Sequence, residues 1–245
     1  MPTEPEITFA LYTADLSTAA GFAGAGSCAV CAQQAAKCFR LEVGTAVIHT
    51  CNGCGSPTAI SSDAHSLAEA SCPRCSRTLA AHPLSEDQLV CTSCLSAGRA
   101  AFTKDTEFGM VRWEDAVAGR THGVPGLSSA GGLATVPAED GWTSVLVDPE
   151  VLLELVRTPT YITWQGEQWL FCCQRPMTFI GEWSQQELAQ HSDGDLASTF
   201  LVVFDDAQPW VLEYMPASPT VNTDWGFYAF RCRHCDRVRG HFDMS

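Results

Sequence analysis

Ten of the thirteen cysteines in this 245-residue chain fall into five Cys-x-x-Cys pairs, at 28/31, 51/54, 72/75, 91/94 and 232/235. Each pair bends the backbone into a tight knuckle that presents two sulfurs on one edge. Two such knuckles complete the tetrahedron that zinc prefers, at about 2.3 Å per sulfur. Intervals of 19, 17 and 15 residues separate the first four pairs, close to the roughly 15–20 typical of a zinc ribbon. Sequential, enclosing and interleaved pairings are therefore all allowed, and spacing does not choose among them. Four pairs within 67 residues, with no βαβ pattern around any of them, favour metal over dithiol redox chemistry. Four thiolates close the coordination sphere, which points to structural rather than catalytic ions. His49, His65 and His82 lie nearby without helical ligand spacing and read as surface or packing residues. Cys38 stands alone and reads as a core thiol.

Hydrophobic residues make up 46% of the chain and the mean hydropathy is +0.01, so there is ample material for a packed core. No segment reaches the roughly 18 uninterrupted apolar residues that a bilayer span requires. The first residues, "MPTEPEITFALYTADLS", are acidic and broken by Asp15, unlike a signal peptide. These features imply a reducing, cytoplasmic setting in which the thiols do not form a disulfide framework. A net charge of −14, from 28 acidic and 14 basic residues, repels nucleic acid and anionic membranes and favours a basic partner. Arg231, Arg233, Arg237 and Arg239 crowd the last Cys pair, where guanidinium groups stabilise thiolates. A nucleic-acid-associated zinc-ribbon regulator acting through these arginines is an alternative reading.

Three regions emerge. Residues 1–110 read as a zinc-binding module. Residues 111–145 read as a linker or long surface loop, on the strength of the Gly-, Pro-, Ser- and Ala-rich stretch 119–141. Residues 146–245 read as a mixed domain. In it, "DPEVLLELVRTP" predicts a helix with Asp148 as N-cap, Pro149 in the first turn, and Val151, Leu152, Leu155 and Val156 on one face. "SQQEL" at 184–188 is a capping box. "STFLVVFDD" and "DWGFYAFRC" predict strands, as does segment 6–14. Asp205–Asp206 reads as a solvated turn. No nucleophile elbow, phosphate loop or dinucleotide fingerprint appears. Arg157, Tyr161, Trp164 and Trp169 form a candidate binding surface, either the lining of an enzyme cleft or an amphipathic core seam.

Several stretches together resemble the CbrC family of bacterial proteins associated by name with colicin tolerance. They are "ELVRTPTYITWQGEQWLFCC" at 154–173, "CTSCLSAGRAAFTKDTEF" at 91–108, "FYAFRCRHCDRVRGHFD" near the end and "CAVC" at 28–31. The resemblance implies that the early pair partners the 91/94 pair, with an additional zinc ribbon inserted between them at about 46–83. One ion would then take Cys51, Cys54, Cys72 and Cys75, nested inside an outer site of Cys28, Cys31, Cys91 and Cys94. It also implies a third site in which Cys173 meets Cys232 and Cys235. Met177 stands where the remaining ligand is expected and thioether is a poor zinc donor, so Cys172 or His241 would complete that site.

The expectation is an α+β protein holding two or three zinc ions per chain: an N-terminal zinc-ribbon module with two nested four-cysteine sites, then a mixed domain with a third knuckle. Two loaded sites take the charge from −14 to about −18, each adding −4 from sulfur and +2 from the ion. The resemblance and the charge together suggest a non-enzymatic immunity or tolerance protein that binds a basic, toxin-like partner.

Overall fold

Side chains alternate across a β-strand, and the strand Trp225–Arg231 uses both of its faces. Phe227 and Ala229 enter one buried cluster while Tyr228 and Phe230 enter another. The two larger buried clusters among the described residues meet on this strand. The computed structural model describes residues 8–41, 44–61, 71–79, 88–219 and 224–245. The fold is mixed α+β, with small antiparallel sheets joined by short helices.

In chain order, β1 (Phe22–Ser27) and β2 (Gln34–Arg40) form a hairpin, and β3 (Thr45–Thr50) and β4 (Pro57–Ser61) form a second. β5 (Leu89–Cys91) returns to the free edge of β2, pairing Cys91 with Cys38. α1 (Thr92–Ser96) then leads to β6 (Ala100–Phe102), which completes the β3–β4 sheet. After α2 (Trp113–Ala118), the short strands β7 (Val124–Pro125), β8 (Thr135–Pro137) and β9 (Trp142–Val145) make a sheet with β9 in the middle. α3 (Pro149–Val156) is followed by the hairpin β10 (Phe171–Cys172) and β11 (Arg175–Pro176). β12 (Thr178–Glu182) precedes α4 (Gln185–Ala189), α5 (Leu196–Val203) and a 3-10 turn at Pro209–Tyr214. The chain ends with β13 (Trp225–Arg231) and β14 (Val238–Met244), β13 lying at the centre of the sheet with β12 and β14.

The α3 segment folds as its sequence dictates. Asp148 accepts the N–H of Glu150 at 2.9 Å, Pro149 opens the first turn, and Val151, Leu152, Leu155 and Val156 are buried. Ser184 and Glu187 cap α4 reciprocally. Three expectations are corrected. "STFLVVFDD" is not a strand, since its first six residues belong to α5. An unbroken apolar run suits either period, and the cap decides: Asp195 accepts both the N–H and the hydroxyl of Ser198, at 3.1 and 2.6 Å. Phe200 and Val203 then face inward while Val202 is 74% exposed. The strand expected at 6–14 lies partly outside the described residues. Within them, Phe9 bridges Tyr12 in a turn, and Phe9, Leu11 and Tyr12 plug into the main core. Residues 111–145 are not a free linker. They carry α2 and the β7–β9–β8 sheet, α2 packs against α3, and Ala116, Thr121, Ala130 and Val145 are buried.

The main core draws on residues from Phe9 to Cys232 and includes Cys28, Cys38, Cys91 and Cys94. It therefore unites both halves of the sequence. Lys104 is fully buried where they meet. Its ammonium binds the Thr160 hydroxyl, lies 3.8 Å from Glu167 and stands over the rings of Phe102 and Trp169 at 5.3 Å. A second cluster under α4 and α5 contains Trp183, Leu188, Phe200, Phe204 and Phe227.

His241 illustrates how tightly the two clusters close on the β12–β13–β14 sheet. Its ring is buried, with Nε2 at 2.8 Å from the Tyr161 hydroxyl, which itself accepts the N–H of Gln168. Burial lowers the His241 pKa from 6.5 to about 4, with Asp243 and Asp205 opposing the shift. The folded ring stays neutral in a range where the unfolded ring takes up a proton. Stability associated with His241 is thus complete above pH 6.5 and falls as the pH drops from 6.5 towards 4. We expect urea unfolding to report a loss of about 2 kcal/mol between pH 7 and pH 5 that the His241→Phe variant does not show.

Candidate metal centres

Four short stretches adopt the same backbone conformation. In each Cys-x-x-Cys knuckle at 28/31, 51/54, 72/75 and 232/235, the residue after the second cysteine returns its N–H to the carbonyl of the first. These bonds are Ala32 to Cys28 at 2.7 Å, Gly55 to Cys51 at 2.8 Å, Ser76 to Cys72 at 2.8 Å and Asp236 to Cys232 at 3.0 Å. The N–H of the first cysteine donates to the carbonyl five residues on, at Gln33, Ser56, Arg77 and Arg237, at 2.8–2.9 Å. This loop requires a left-handed residue at its exit, with φ of 57°, 71°, 58° and 57° at Ala32, Gly55, Ser76 and Asp236. Only Gly55 takes that conformation without steric cost. Among the described residues, five of the six non-glycine positions at positive φ belong to the cysteine clusters: Ala32, Ser76, Cys173, Gln174 and Asp236. Strain of this kind persists where the surroundings over-determine it, and it gathers at functional sites.

The structure brings twelve cysteines into three sets of four, each set with all its sulfurs within 4.8 Å of one another. In the first, the knuckle between β1 and β2 supplies Cys28 and Cys31. Cys91 ends β5 and Cys94 lies in α1. The pairing of β5 with β2, extended by a bridge between Cys28 and Leu89, carries Cys91 to Cys28. Sγ separations are 3.8 Å for Cys28–Cys94 and 3.9 Å for Cys31–Cys91. Three of the four thiols are buried. Arg99 donates to the carbonyl of Val30 inside the knuckle at 2.9 Å. Arg157 packs over Gly98 so closely that a Cβ there would lie 2.6 Å from its Nε.

In the second set, the knuckle between β3 and β4 supplies Cys51 and Cys54, and Cys72 and Cys75 face them. Cys51–Cys75 and Cys54–Cys72 are each 3.6 Å apart. Its apolar support is slight among the described residues, with only Cys51, Cys72 and Leu79 forming a buried cluster and Cys54 packed against it. The Arg77 guanidinium lies beside Gly53 of the first knuckle. His49 is on β3, whereas His65 and His82 lie outside the described residues.

The third set joins the β13–β14 knuckle, Cys232 and Cys235, to the adjacent pair Cys172 and Cys173. β10 and β11 meet in a two-residue turn with positive φ at Cys173 (51°) and Gln174 (64°), the hairpin geometry that aligns both strands with their natural twist. Cys172 lies 3.9 Å from Cys173 and 3.6 Å from Cys235. Cys172, one of the two residues expected to complete this site, therefore joins the other three. The second, His241, is held in the core by Tyr161. Met177 is fully buried, and its carbonyl accepts the Trp169 indole N–H at 2.8 Å. This set is the most open, with Cys173 and Cys235 both exposed.

A tetrahedron with 2.3 Å metal–sulfur bonds has edges of about 3.8 Å, and the observed separations bracket that value. A disulfide would need about 2.0 Å. Within each cluster backbone donors lower one thiol or more, while burial and the neighbouring thiols raise others, Cys91 and Cys94 in the first, Cys54 in the second and Cys172 and Cys173 in the third. Burial would raise Cys28, but the N–H groups of Cys91, Cys31 and Val30 bring it down to about 7. Burial is similarly outweighed at Cys72, held at about 6 by the N–H groups of Arg74 and Cys75. The Arg237 N–H leads in lowering Cys235 to about 7. Burial and the neighbouring thiols push Cys172 up to about 12. Such sets share protons among crowded sulfurs, which a divalent cation replaces with coordinate bonds.

Two of the four arginines near the last pair are engaged in ion pairs. Arg239 bridges Glu107 at 3.1 Å and Asp205 at 2.5 Å, and Arg233 meets Glu154 at 3.4 Å. The candidate binding surface does not converge. Tyr161 and Trp169 are 2% and 0% exposed within the main core, while Trp164 is 52% exposed. Tyr161 and Trp169 form a packed seam with Phe179, Tyr228 and Phe230.

The family model for the uncharacterised protein family UPF0167 matches residues 42–244. The chain is also similar to UPF0167 protein PA1536 of Pseudomonas aeruginosa, 32% identical over 105 residues, which are 41% of this chain. The match spans 56% of the length of that relative. No solved structure matches. The resemblance to the CbrC family is corrected by these matches, since both the family model and the curated relative carry the UPF0167 name. Cys28 and Cys31 precede the matched span, while the other ten clustered cysteines fall inside it. With most of its length covered by the family model, the chain belongs to the uncharacterised protein family UPF0167.

Proposed function

We propose that this protein is a zinc-stabilised, non-enzymatic protein-interaction module that carries three ions per chain and binds a basic partner. The observation that carries the reading is the geometry of the three tetrathiol sets: all four sulfurs of each lie within 4.8 Å of one another, and two separations in each set, 3.6–3.9 Å, match the edge of a zinc tetrahedron. Four sulfur donors leave no open position for water or substrate, so the ions would act in folding rather than in catalysis. A reducing, cytoplasmic setting would keep these thiols available as ligands. Three loaded sites would take the charge from −14 to about −20, which deepens the attraction for a cationic partner. The colicin-tolerance association falls with the family that suggested it.

The second set would depend on its ion most, because among the described residues the apolar cluster around it is so small. In such ribbons metal binding supplies about 10–16 kcal/mol of apparent folding free energy. The third set would exchange its ion most readily, because Cys173 and Cys235 face solvent.

Elemental analysis of the native protein should give three zinc ions per chain, and Cys173→Ser should reduce the content to two while leaving the main core folded. A zinc-free protein with the same circular dichroism spectrum would refute the proposal. A chelator titration followed with a chromogenic zinc indicator should release one ion well before the other two. That early phase should be missing from the Cys173→Ser protein. Complete chelation should abolish protection of the β3–β4 amides in hydrogen exchange, whereas amides of β13, sandwiched between two cores, should exchange slowly for longer.

A further inference from the structure

Between Arg175 and Arg231 the chain contains no lysine or arginine, yet residues 176–230 include eight carboxylates: Glu182, Glu187, Asp193, Asp195, Asp205, Asp206, Glu213 and Asp224. This stretch builds the lobe over the second core, comprising β12, α4, α5, the 3-10 turn and most of β13. Asp205 is engaged by Arg239. Negative charge is thus concentrated on one lobe rather than spread evenly over the molecule.

The same lobe presents aromatic rings to solvent. Trp210 is 54% and Tyr214 48% exposed. Tyr214 stacks on Trp225 at 4.8 Å and 25°, and Trp210 stands nearly perpendicular to both, at 5.9 and 6.2 Å. Trp225 continues inward through Phe242 and Phe227, at 6.0 and 6.3 Å, to the second core. The rings are therefore fixed before any ligand arrives, and little side-chain entropy remains to be lost on binding. Exposed Trp164 lies at the same end of the hairpin. The N–H groups of Trp164 and Gln165 donate to the Asp243 carboxylate at 2.9 and 3.0 Å, and Gln165 reaches the carbonyl of Met244, the β14 partner of Trp225. Glu213 sits between Trp210 and Tyr214 in the 3-10 turn, and Asp224 immediately precedes Trp225.

Rigid, outward-facing indole and phenol rings interleaved with carboxylates suit one ligand chemistry above others. A guanidinium stacks on an aromatic face while its N–H groups meet a carboxylate. We propose that the surface formed by Trp210, Tyr214 and Trp225, with Glu213 and Asp224, docks an arginine-rich segment of a partner protein. This inference rests on the basic-partner reading above and gives that partner its site and its recognised side chain. The occupant follows from charge complementarity. An apolar partner would leave the carboxylates uncompensated, and nucleic acid would be repelled by them.

The test uses the zinc-loaded full chain and a synthetic peptide alternating arginine and glycine, with a control peptide bearing glutamine for arginine. Calorimetry should show the arginine peptide binding and the glutamine peptide not. Trp210→Ala combined with Tyr214→Ala should weaken binding about tenfold, corresponding to two aromatic contacts with a cation. Both side chains are about half exposed and lie outside the buried residues of the second core, so zinc content should match the parent and thermal unfolding should fall only slightly. Replacing arginine with lysine should weaken binding while retaining its salt sensitivity, because ammonium lacks the planar stacking face. If the double variant binds as tightly as the parent, attraction comes from the overall negative field and the assigned surface is wrong, although the basic-partner reading stands. If the parent binds neither peptide, the basic-partner reading itself fails and the docking site with it.

Discussion

The hydrogen-bonded Cys-x-x-Cys knuckle is the constraint on which the rest of this structure depends. One backbone bond returns to the first carbonyl, a second closes the loop from the first N–H, and a left-handed residue lets the chain leave. The loop fixes where two sulfurs point before any partner arrives. Four copies of it, together with a helix-borne pair and a hairpin-borne pair, create three tetrathiol sets separated widely along the sequence. Each set ties together segments that local contacts would leave apart. Cys28 meets Cys94 across 66 residues, and Cys172 meets Cys235 across 63.

The three sets are embedded differently. The first is part of the main hydrophobic core, where Cys28, Cys91 and Cys94 pack with Leu95, Phe39 and Val90. Apolar burial and sulfur ligation would reinforce each other there. The second has little apolar support among the described residues, so its order would rest mainly on coordination. The third lies on the surface at the edge of the core, flanked by clefts of about 250 and 340 Å³ that Cys172 lines on both sides. Arginine appears beside each set: Arg99 at the first knuckle, Arg77 at the second, and Arg233 and Arg239 near the third. Guanidinium charge offsets the −2 of a tetrathiolate zinc site, and at the third set Arg233 and Arg239 share theirs with Glu154, Glu107 and Asp205.

Sequence legibility followed the range of the interaction. The caps of α3 and α4 are local, and Asp148, Pro149, Ser184 and Glu187 announce them. The mixed α+β class and the presence of clustered cysteines were equally readable. Spacing did not reveal partner choice among the knuckles, because intervals of 15, 17 and 19 residues permit every pairing. The selecting interaction is the long-range register of β5 on β2. Helix α5 was concealed by a run of apolar residues that suits both periods, and its N-cap, Asp195, closes an exposed acidic segment that reads equally well as a turn. The docking of Cys172 depended on a two-residue turn with a cysteine and a glutamine at positive φ, where sequence rules look for glycine or asparagine. The RTPTY and Trp block, tempting as a cleft, instead places Tyr161 and Trp169 inside the core and lays Arg157 against Gly98.

Zinc K-edge X-ray absorption on the native protein addresses the coordination directly. Closed tetrathiolate centres require an average of four sulfur neighbours at about 2.3 Å and no shell of lighter atoms. A first shell containing oxygen or nitrogen near 2.0 Å would show an open or mixed site and contradict the assignment of these ions to folding alone.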